Sequence, residues 1–295
     1  MLFRSGESGS GKSVTAQTLM GLTRAPNSTI TGSVSFEGAD LVELPEDEFR
    51  AVRGEHIAMV FQDPMTSLNP VYRVGDQIAE MIRAHRDVAK AEALSQAVEL
   101  LRSVGIPNPE RRVRDYPHEF SGGMRQRVMI AMALALDPEV LIADEPTTAL
   151  DVTIQAQILR LLENLNRDRN LSMVLITHDL GVVAELADRV VVMYGGQIVE
   201  DGPLDEIFYN PQHPYTWGLL GSIARLDEAR PERLPQIPGQ PPSLLNPPAG
   251  CRFEPRCGYA VAECSMPPAL EPRIGDAAHL DRCWLGPATK RAART

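Results

Sequence analysis

Long apolar segments are absent from this 295-residue sequence. No apolar run approaches the roughly 18 residues that a membrane-spanning helix needs, and the N-terminus lacks the short apolar core of a secretory signal peptide. A basic excess is also absent, because the formal net charge is -10. Dedicated nucleic-acid binders usually carry a basic face, so we expect no nucleic-acid partner. Work at a membrane would then require docking on partner proteins.

Cysteine is missing from the first 250 residues, and only 9 of the 24 prolines lie in the first 202. All four cysteines and 15 of the 24 prolines lie from Pro203 onward. Proline-rich stretches such as residues 233–250 favour extended, polyproline-like conformations, and we expect an extended chain from Pro203 on. The change in composition predicts a folded domain over residues 1–207 and a C-terminal extension over residues 208–295.

Two kinds of apolar pattern alternate in the first 202 residues. Short apolar runs bounded by turn residues predict strands, and apolar residues at three- and four-residue spacing predict amphipathic helices. The predicted strands lie within residues 32–38, 56–63, 140–146 and 173–179, with a hairpin over 189–202. The predicted helices span residues 74–85, 90–105 and 152–168. Strands that alternate with helices indicate an α/β fold.

A phosphate-binding loop pattern stands near the start of the sequence. Residues 6–13 read G-E-S-G-S-G-K-S and match G-x-x-x-x-G-K-[ST] at every position. In such a loop, backbone N–H groups cradle phosphate oxygens, the lysine reaches the β- and γ-phosphates, and the serine hydroxyl binds Mg²⁺. The predicted nucleotide-binding residues are Gly6, Glu7, Ser8, Gly9, Ser10, Gly11, Lys12 and Ser13.

An apolar run that ends in two acids supplies a second part of the predicted site. Residues 141–145 read L-I-A-D-E. The end of a buried strand would deliver Asp144 to the metal ion, and Glu145 beside it would polarise a water molecule for attack on the γ-phosphate. The two motifs together predict nucleotide hydrolysis.

A second anion-binding feature lies between these motifs. Ser121, Gly122 and Gly123 precede a helical segment, and the exposed N–H groups of a helix N-terminus attract anions. One nucleotide does not need two such sites on one subunit. We therefore expect the second site to serve a nucleotide held by another subunit, so that the protein works as a dimer.

The set of motifs resembles that of the ATP-binding-cassette ATPases. The similarity extends to the glutamine of VFQDP (Gln62), the signature FSGGM (120–124), the TALD turn (148–151) and ITHD, which contains His178. The resemblance implies an α/β P-loop NTPase fold, the ATP-binding cassette, with a helical subdomain over about residues 64–135.

The same resemblance implies roles for three further residues. Gln62 would contact Mg²⁺ or the attacking water and link the nucleotide to a membrane partner. His178 would touch the γ-phosphate and join Glu145 and Gln62 in catalysis. Asp151 would couple the two nucleotide sites across the dimer.

A narrower resemblance covers nearly the whole chain. Residues 61–70, 144–159 and 210–216, together with the proline-rich tail over 234–257, look like ATPase subunits of dipeptide and oligopeptide importers. Within that group the sequence looks like the D-type subunit. The resemblance implies a protein that binds and hydrolyses ATP to power peptide import. Nickel importers or those of other small solutes, which usually lack so long a tail, are the alternative.

The importer resemblance also implies partners and a location. The expected partners are an F-type ATPase subunit in a heterodimer, two transmembrane permease subunits and an extracytoplasmic peptide-binding protein. The expected location is peripheral, on the cytoplasmic face of the plasma or inner membrane.

The N-terminus departs from the family pattern. In the family, two strands and a buried strand precede the phosphate loop, whereas here only residues 1–5 precede Gly6. We expect a sequence truncated at its N-terminus, in which residues 1–3 form at most a stub of strand. A cassette that dimerises without hydrolysing ATP is therefore a further alternative, although Glu145 and His178 are both present.

The four cysteines lie close together in the extension. Cys251, Cys257, Cys264 and Cys283 follow the spacing C-x5-C-x6-C-x18-C. Four thiolates on a loop-rich segment suit a [4Fe–4S] cluster or a structural zinc ion about equally. The same pattern in the peptide-importer ATPases resembles a cluster-binding tail, which favours the [4Fe–4S] cluster. Because the cysteines are distant in sequence from Lys12, we expect them to stabilise the tail rather than to affect ATP chemistry.

Overall fold

The helices and strands predicted from the sequence are present, most of them within two residues of the predicted bounds. The computed structural model describes residues 1–7, 9–222, 236–272 and 277–294. The strands in this part are β1 (Leu2–Ser5), β2 (Ser35–Phe36), β3 (Ala39–Asp40), β4 (Ile57–Val60), β5 (Val140–Asp144), β6 (Ser172–Ile176), β7 (Arg189–Tyr194), β8 (Gln197–Pro203) and β9 (Leu280–Asp281).

The helices divide into long amphipathic ones and short connecting ones. They are α1 (Lys12–Leu19), α2 (Glu46–Val52), α3 (Pro64–Ser67), α4 (Val74–His85), α5 (Lys90–Ser103), α6 (Pro109–Arg112), α7 (Gly122–Ala133), α8 (Val152–Asp168), α9 (Leu180–Leu186), α10 (Leu204–Tyr209), α11 (Pro214–Gly221) and α12 (Pro287–Arg294). Among the described helices, none is both long enough and apolar enough to cross a membrane. The chain divides into two units, one of Met1–Lys12 and Thr177–Thr295 and the other of Ser13–Ile176.

The unit Ser13–Ile176 is built on three parallel strands. β5 pairs with β4 on one side and with β6 on the other, and its central residues are buried, as a strand covered on both faces requires. Met20, Phe49, Ile142 and Ile176 belong to the core cluster of this unit. The apolar runs of β4, β5 and β6 thus form a parallel sheet.

Periodicity explains the long helices of this unit. In α4, the residues Val74, Ile78 and Ile82 are buried at a spacing of four, and the helix packs against α5 and α7. Helix α5 ends at Ser103, and Gly105 then adopts a φ of +76°, the left-handed conformation that glycine provides after a helix. The predicted helices over 74–85 and 152–168 are confirmed at both ends.

The other unit contains the hairpin that the sequence predicts. β7 and β8 pair antiparallel, and the turn residues Gly195 and Gly196 have φ values of +54° and +77°. A turn with two positive φ values matches the twist of paired strands. The extension supplies β9, which pairs antiparallel with β8.

The strand before the phosphate loop is longer than the sequence suggested. We expected a stub over residues 1–3, but β1 (Leu2–Ser5) pairs in parallel with β7 over its whole length. Phe3 is 0% exposed. The reason is that β7 offers a row of backbone N–H and C=O groups, which even a four-residue segment satisfies.

The expectation of an extended chain from Pro203 onward is wrong for the first part of this region. Helix α10 begins at Leu204 and α11 at Pro214. Proline suits the first position of a helix, where its missing N–H is not needed, and His213 accepts a hydrogen bond from the Tyr215 N–H as the N-cap of α11. Residues 233–235 of the predicted polyproline stretch lie outside the described part of the chain.

Truncating the Phe3 side chain in β1 should destabilise the chain. Phe3→Ala should lower the free energy of unfolding by about 3–5 kcal/mol, because it removes a fully buried aromatic ring. Val14→Ala is the control, since Val14 is 60% exposed, and it should change this energy little. Urea unfolding followed by circular dichroism measures both, and equal losses in the two variants would show that β1 is not packed as described.

Candidate functional site

The phosphate loop joins the end of β1 to the start of α1. Gly6 directly follows β1 and has a φ of +153°, and a Cβ atom at this position would lie 2.2 Å from the carbonyl oxygen of Met193. Only glycine permits this approach of two backbones. On the other side of the loop, the Gly196 N–H donates to the Ser10 carbonyl at 3.0 Å. Ser8, which the pattern also included, lies outside the described residues.

Lys12 is buried beneath the loop, with 5% of its surface exposed. Its Nζ donates to the carbonyl oxygens of Gly6 at 2.7 Å and of Glu7 at 3.0 Å, and to the Ser10 hydroxyl at 3.3 Å. A buried ammonium group needs such acceptors to offset its lost hydration. The predicted phosphate-binding lysine is thus held in place by the loop itself.

Glu7 is fixed through three of its groups. Its N–H donates to the Tyr215 hydroxyl at 2.8 Å, its carbonyl accepts from Lys12, and its carboxylate accepts two hydrogen bonds from Arg256. The hydrogen bonds to Glu7 raise the pKa of Arg256. No sequence signal pointed to Arg256 or Tyr215, which are more than 200 residues from Glu7 along the chain.

In the unit Ser13–Ile176, β5 brings its acidic end to the start of α1. Asp144 is 3% exposed, and its Oδ1 accepts a hydrogen bond of 2.9 Å from the Ser13 hydroxyl. A serine hydroxyl and a carboxylate oxygen are the oxygen ligands that Mg²⁺ prefers. Two of the three predicted metal ligands, Ser13 and Asp144, therefore lie together, as a magnesium site requires.

Glu145 stands in a strained backbone conformation just beyond β5. Its φ is +46°, which costs a non-glycine residue energy and is typical of functional positions. Its N–H donates to the Ile176 carbonyl at 2.9 Å. Its Oε2 accepts hydrogen bonds from Gln62 Nε2 at 3.2 Å and from the Thr148 hydroxyl at 2.9 Å. The structure thus brings Glu145 and Gln62 together and adds Thr148, which the sequence reasoning missed although it lies in the quoted TALD turn.

The signature residues begin α7. Ser121 is the N-cap, and its hydroxyl accepts a hydrogen bond from the Met124 N–H at 3.4 Å. Ser121 and Gly122 are exposed at this helix start. A Cβ atom on Gly123 would lie 2.6 Å from the side chain of Ile154, so this glycine also permits α7 to pack closely on α8.

The two remaining predicted residues lie at helix starts. Asp151 is the N-cap of α8 and accepts from the Ile154 N–H at 3.0 Å. His178 precedes α9 and is exposed. The N-cap position explains Asp151 structurally, and the role at a dimer interface stays a prediction.

The four cysteines are thiols within one folded segment. Cys264 and Cys283 are buried and the other two are partly buried. Burial raises the pKa of Cys251 and Cys257, and that of Cys283 to about 12, with smaller contributions from neighbouring thiols. The Cys251 N–H donates to the Cys264 carbonyl at 2.8 Å. Among the described residues, which include all four cysteines, no three of these sulfur atoms lie within 4.8 Å of one another.

Two protein families match separate parts of this sequence. Residues 2–148 match the family described as "ABC transporter". Residues 199–264 match the family described as "Oligopeptide/dipeptide transporter, C-terminal region". The two matches include the phosphate loop, Asp144 and three of the four cysteines.

Curated relatives are similar to this sequence over most of its length. The oligopeptide transport ATP-binding protein OppD of Bacillus subtilis (strain 168) is 60% identical over 257 residues, which are 87% of this chain and 72% of that protein. The dipeptide transport ATP-binding protein DppD of Lactococcus lactis subsp. cremoris (strain MG1363) is 58% identical over 259 residues, 87% of this chain and 74% of that protein.

Solved structures share the fold. The dimeric structure of a post-hydrolysis state of the ATP-binding cassette MJ0796, bound to ADP and phosphate, superposes with a TM-score of 0.61 and 28% identity, and covers 69% of this chain and 85% of that one. This similarity confirms the α/β cassette fold that the motifs implied.

Adding a methyl group at Gly6 should disrupt the loop. Gly6→Ala should lower the free energy of unfolding by about 3 kcal/mol, because the new Cβ would clash with the Met193 carbonyl in a conformation that alanine avoids. Gly9→Ala is the control: its φ is +77°, but its Cβ would meet no described atom within 4 Å, so the cost should stay near 1 kcal/mol. Thermal unfolding of both variants tests this, and equal shifts would contradict the close contact at Gly6.

Proposed function

This chain belongs to the ABC transporter family, and on that premise we propose that it binds and hydrolyses ATP to power the import of dipeptides or oligopeptides. The observation that carries the peptide assignment is the match of its C-terminal region to that of oligopeptide and dipeptide transporters. The relatives named for peptide transport support the same assignment. The ATPase domain would occupy residues 1–207, with its helical subdomain over about 64–135, and the peptide-importer extension residues 208–295.

We assign ATP binding to the phosphate loop. Its backbone N–H groups would bind phosphate oxygens, and the Lys12 ammonium would pair with the β- and γ-phosphates. Ser13 and Asp144, whose oxygens lie 2.9 Å apart, would hold Mg²⁺, with Gln62 as a further ligand. Bound Mg²⁺ would offset the negative charge that the transferring phosphoryl group carries.

We assign the general base to Glu145. Its carboxylate would accept a proton from the water that attacks the γ-phosphate. The hydrogen bonds from Gln62 and Thr148 orient this carboxylate, and orientation of the base is a requirement for proton transfer. His178 would contact the γ-phosphate. The intact Glu145 arrangement favours hydrolysis over the alternative of a non-hydrolysing cassette.

The dimer proposal follows from the exposed start of α7. Ser121, Gly122 and Gly123 would bind the nucleotide held by a second ATPase subunit, which we propose is the F-type partner of a heterodimer. Asp151, beside the TALD turn, would couple the two sites. The anion preference of a helix N-terminus supports this assignment.

A permease contact is supported by an apolar cavity in the unit Ser13–Ile176. The cavity has a volume of about 330 Å³, and its lining includes Met59, Phe61, Met81, Met129 and Met132. Methionine side chains adapt to partner surfaces, and Phe61 directly precedes Gln62. We propose that two permease subunits dock this protein on the cytoplasmic face of the membrane, where an extracytoplasmic binding protein supplies the peptide. Importers of nickel or of other small solutes remain the second candidate.

The cysteines fit a group that takes four thiolates. We propose a [4Fe–4S] cluster bound by Cys251, Cys257, Cys264 and Cys283, with zinc as the alternative. A single zinc ion, with Zn–S bonds of about 2.3 Å, needs sulfur atoms about 3.8 Å apart, closer than any three of these sulfurs lie. A four-iron cluster binds each thiolate to a separate iron atom and accepts wider spacing. The cluster would stabilise a segment that has few apolar residues.

Replacing the general base should separate binding from hydrolysis. In the transporter assembled with its partners, Glu145→Gln should reduce the ATP turnover rate at least about 100-fold and leave the ATP dissociation constant within about twofold, since Gln retains hydrogen bonding but accepts no proton. Glu139→Gln, an exposed residue before the same strand, is the control and should keep turnover. A Glu145→Gln protein with near-normal turnover would exclude this base.

Metal analysis decides the identity of the bound group. Protein purified without oxygen should contain about four iron and four sulfide per chain and show visible charge-transfer absorption. Changing Cys257 to Ser should remove this signal. Stoichiometric zinc without iron would replace the cluster assignment by the zinc alternative.

A further inference from the structure

The cysteine-bearing segment contacts the phosphate loop through a buried arginine. The Arg256 side chain is 4% exposed. Nη1 and Nη2 donate to the two carboxylate oxygens of Glu7 at 2.7 and 3.2 Å. The remaining donors bond to the Tyr194 hydroxyl and to the carbonyls of Ile237 and Pro238. This forked, fully paired arrangement is the strongest geometry that a guanidinium group makes with a carboxylate.

A second arginine of the same segment supports the loop indirectly. Arg252 donates to the Gly195 carbonyl, and the other turn residue, Gly196, donates its N–H to the Ser10 carbonyl at 3.0 Å. The β7–β8 turn therefore lies between the phosphate loop and Arg252. Arg256 thus bonds to the loop directly at Glu7, whereas Arg252 is connected to it at Ser10 only through the turn.

Cys251 and Cys257 flank Arg252 and Arg256 in the sequence. Between Cys251 and Cys257 the chain makes one tight turn, in which the Glu254 N–H donates to the Cys251 carbonyl at 3.0 Å and the Cys257 N–H to the Glu254 carbonyl at 3.1 Å. The ring of Phe253 packs on those of Tyr194 and Tyr215, with centroids 5.2 and 5.5 Å apart. The conformation of this turn thus determines where Arg256 lies.

We infer that Arg256 is a positioning residue for the phosphate loop, through which the extension sets the affinity for ATP. This inference rests on the proposed function. The cysteines are distant from Lys12 in sequence, but the fold brings Arg256 of their segment against Glu7.

Two physical effects connect Arg256 to ATP affinity. The loop contains Gly6, Gly9 and Gly11, all with positive φ, and ordering such a chain on binding costs entropy unless it is ordered beforehand. Fixing Glu7 orders the loop in advance. Arg256 also balances the negative charge of Glu7, which would otherwise repel an incoming triphosphate. Because both effects concern the loop before the nucleotide arrives, they act on binding rather than on turnover.

The test measures the dissociation constant of a fluorescent ATP analogue with Mg²⁺ on the full chain. Arg256→Gln should raise this constant about tenfold, the loss expected for one charge-assisted pair, and Arg256→Lys, which keeps the charge but not the fork, should raise it less. Arg282→Gln is the matched control. Arg282 also precedes a cysteine and donates to the carbonyls of Ile198 and Pro268, but these partners lie outside the loop. Arg282→Gln should leave the dissociation constant within about twofold of the parent value. It should lower the melting temperature by about as much as Arg256→Gln does.

A double-mutant cycle on the dissociation constant tests whether Arg256 and Glu7 act as a pair. Glu7→Gln should raise the dissociation constant in the parent protein but should not raise it further in the Arg256→Gln background, where it removes the unbalanced carboxylate charge, because residues that act as a unit are not additive. By reciprocity, nucleotide should slow hydrogen exchange of the amides in residues 251–257, and Arg256→Gln should abolish this slowing. In the assembled transporter, the KM for ATP should rise while kcat at saturation stays within about twofold.

Each contrary result has a distinct meaning. Wild-type-like affinity in Arg256→Gln or in Arg256→Lys, with Lys12→Ala abolishing binding, would overturn the positioning role and leave the ATPase assignment intact. Equal affinity losses in Arg256→Gln and Arg282→Gln would also overturn it, by reducing Arg256 to a general stabiliser of the tail. Absence of nucleotide binding in the parent protein would overturn the proposed function itself.

Discussion

The antiparallel pairing of β7 with β8 is the interaction on which the phosphate loop depends. β1 pairs in parallel with β7, and Gly6, which follows β1, lies against the carbonyl of Met193 in β7. The turn of the hairpin then bonds to Ser10. A glycine-rich loop has little shape of its own, so its conformation is set by this neighbouring hairpin.

The same hairpin anchors the extension. β9 pairs with β8, and Glu200 of β8, which is 0% exposed, accepts hydrogen bonds from the N–H groups of Gln212 and His213 and lies 2.7 Å from His279 Nε2. A buried carboxylate is stable only when such partners are present. A region with few apolar residues thus attaches through polar contacts, and these place Arg256 against Glu7.

Around Glu145, backbone strain and hydrogen bonding act together. The left-handed φ of Glu145 would relax if nothing opposed it, but the bond from its N–H to Ile176 and those from Gln62 and Thr148 to its carboxylate hold the residue. Strain that surrounding contacts maintain is a common feature of catalytic positions. The parallel strands β5 and β6 supply the rigid frame for it.

The sequence by itself determined the local elements and the motifs. The periodicity of Val74–His85 and Val152–Asp168 fixed both helices, because a helix buries residues at its own repeat, and the spacing G-x-x-x-x-G-K-S identified the loop. Only the tertiary structure decided the pairing of β1 with β7, the start of α11 at Pro214, and the contact of Glu7 with Arg256, which lie 249 positions apart. Such contacts form when distant segments meet on a shared surface, and no local pattern of residues encodes which segments will meet there.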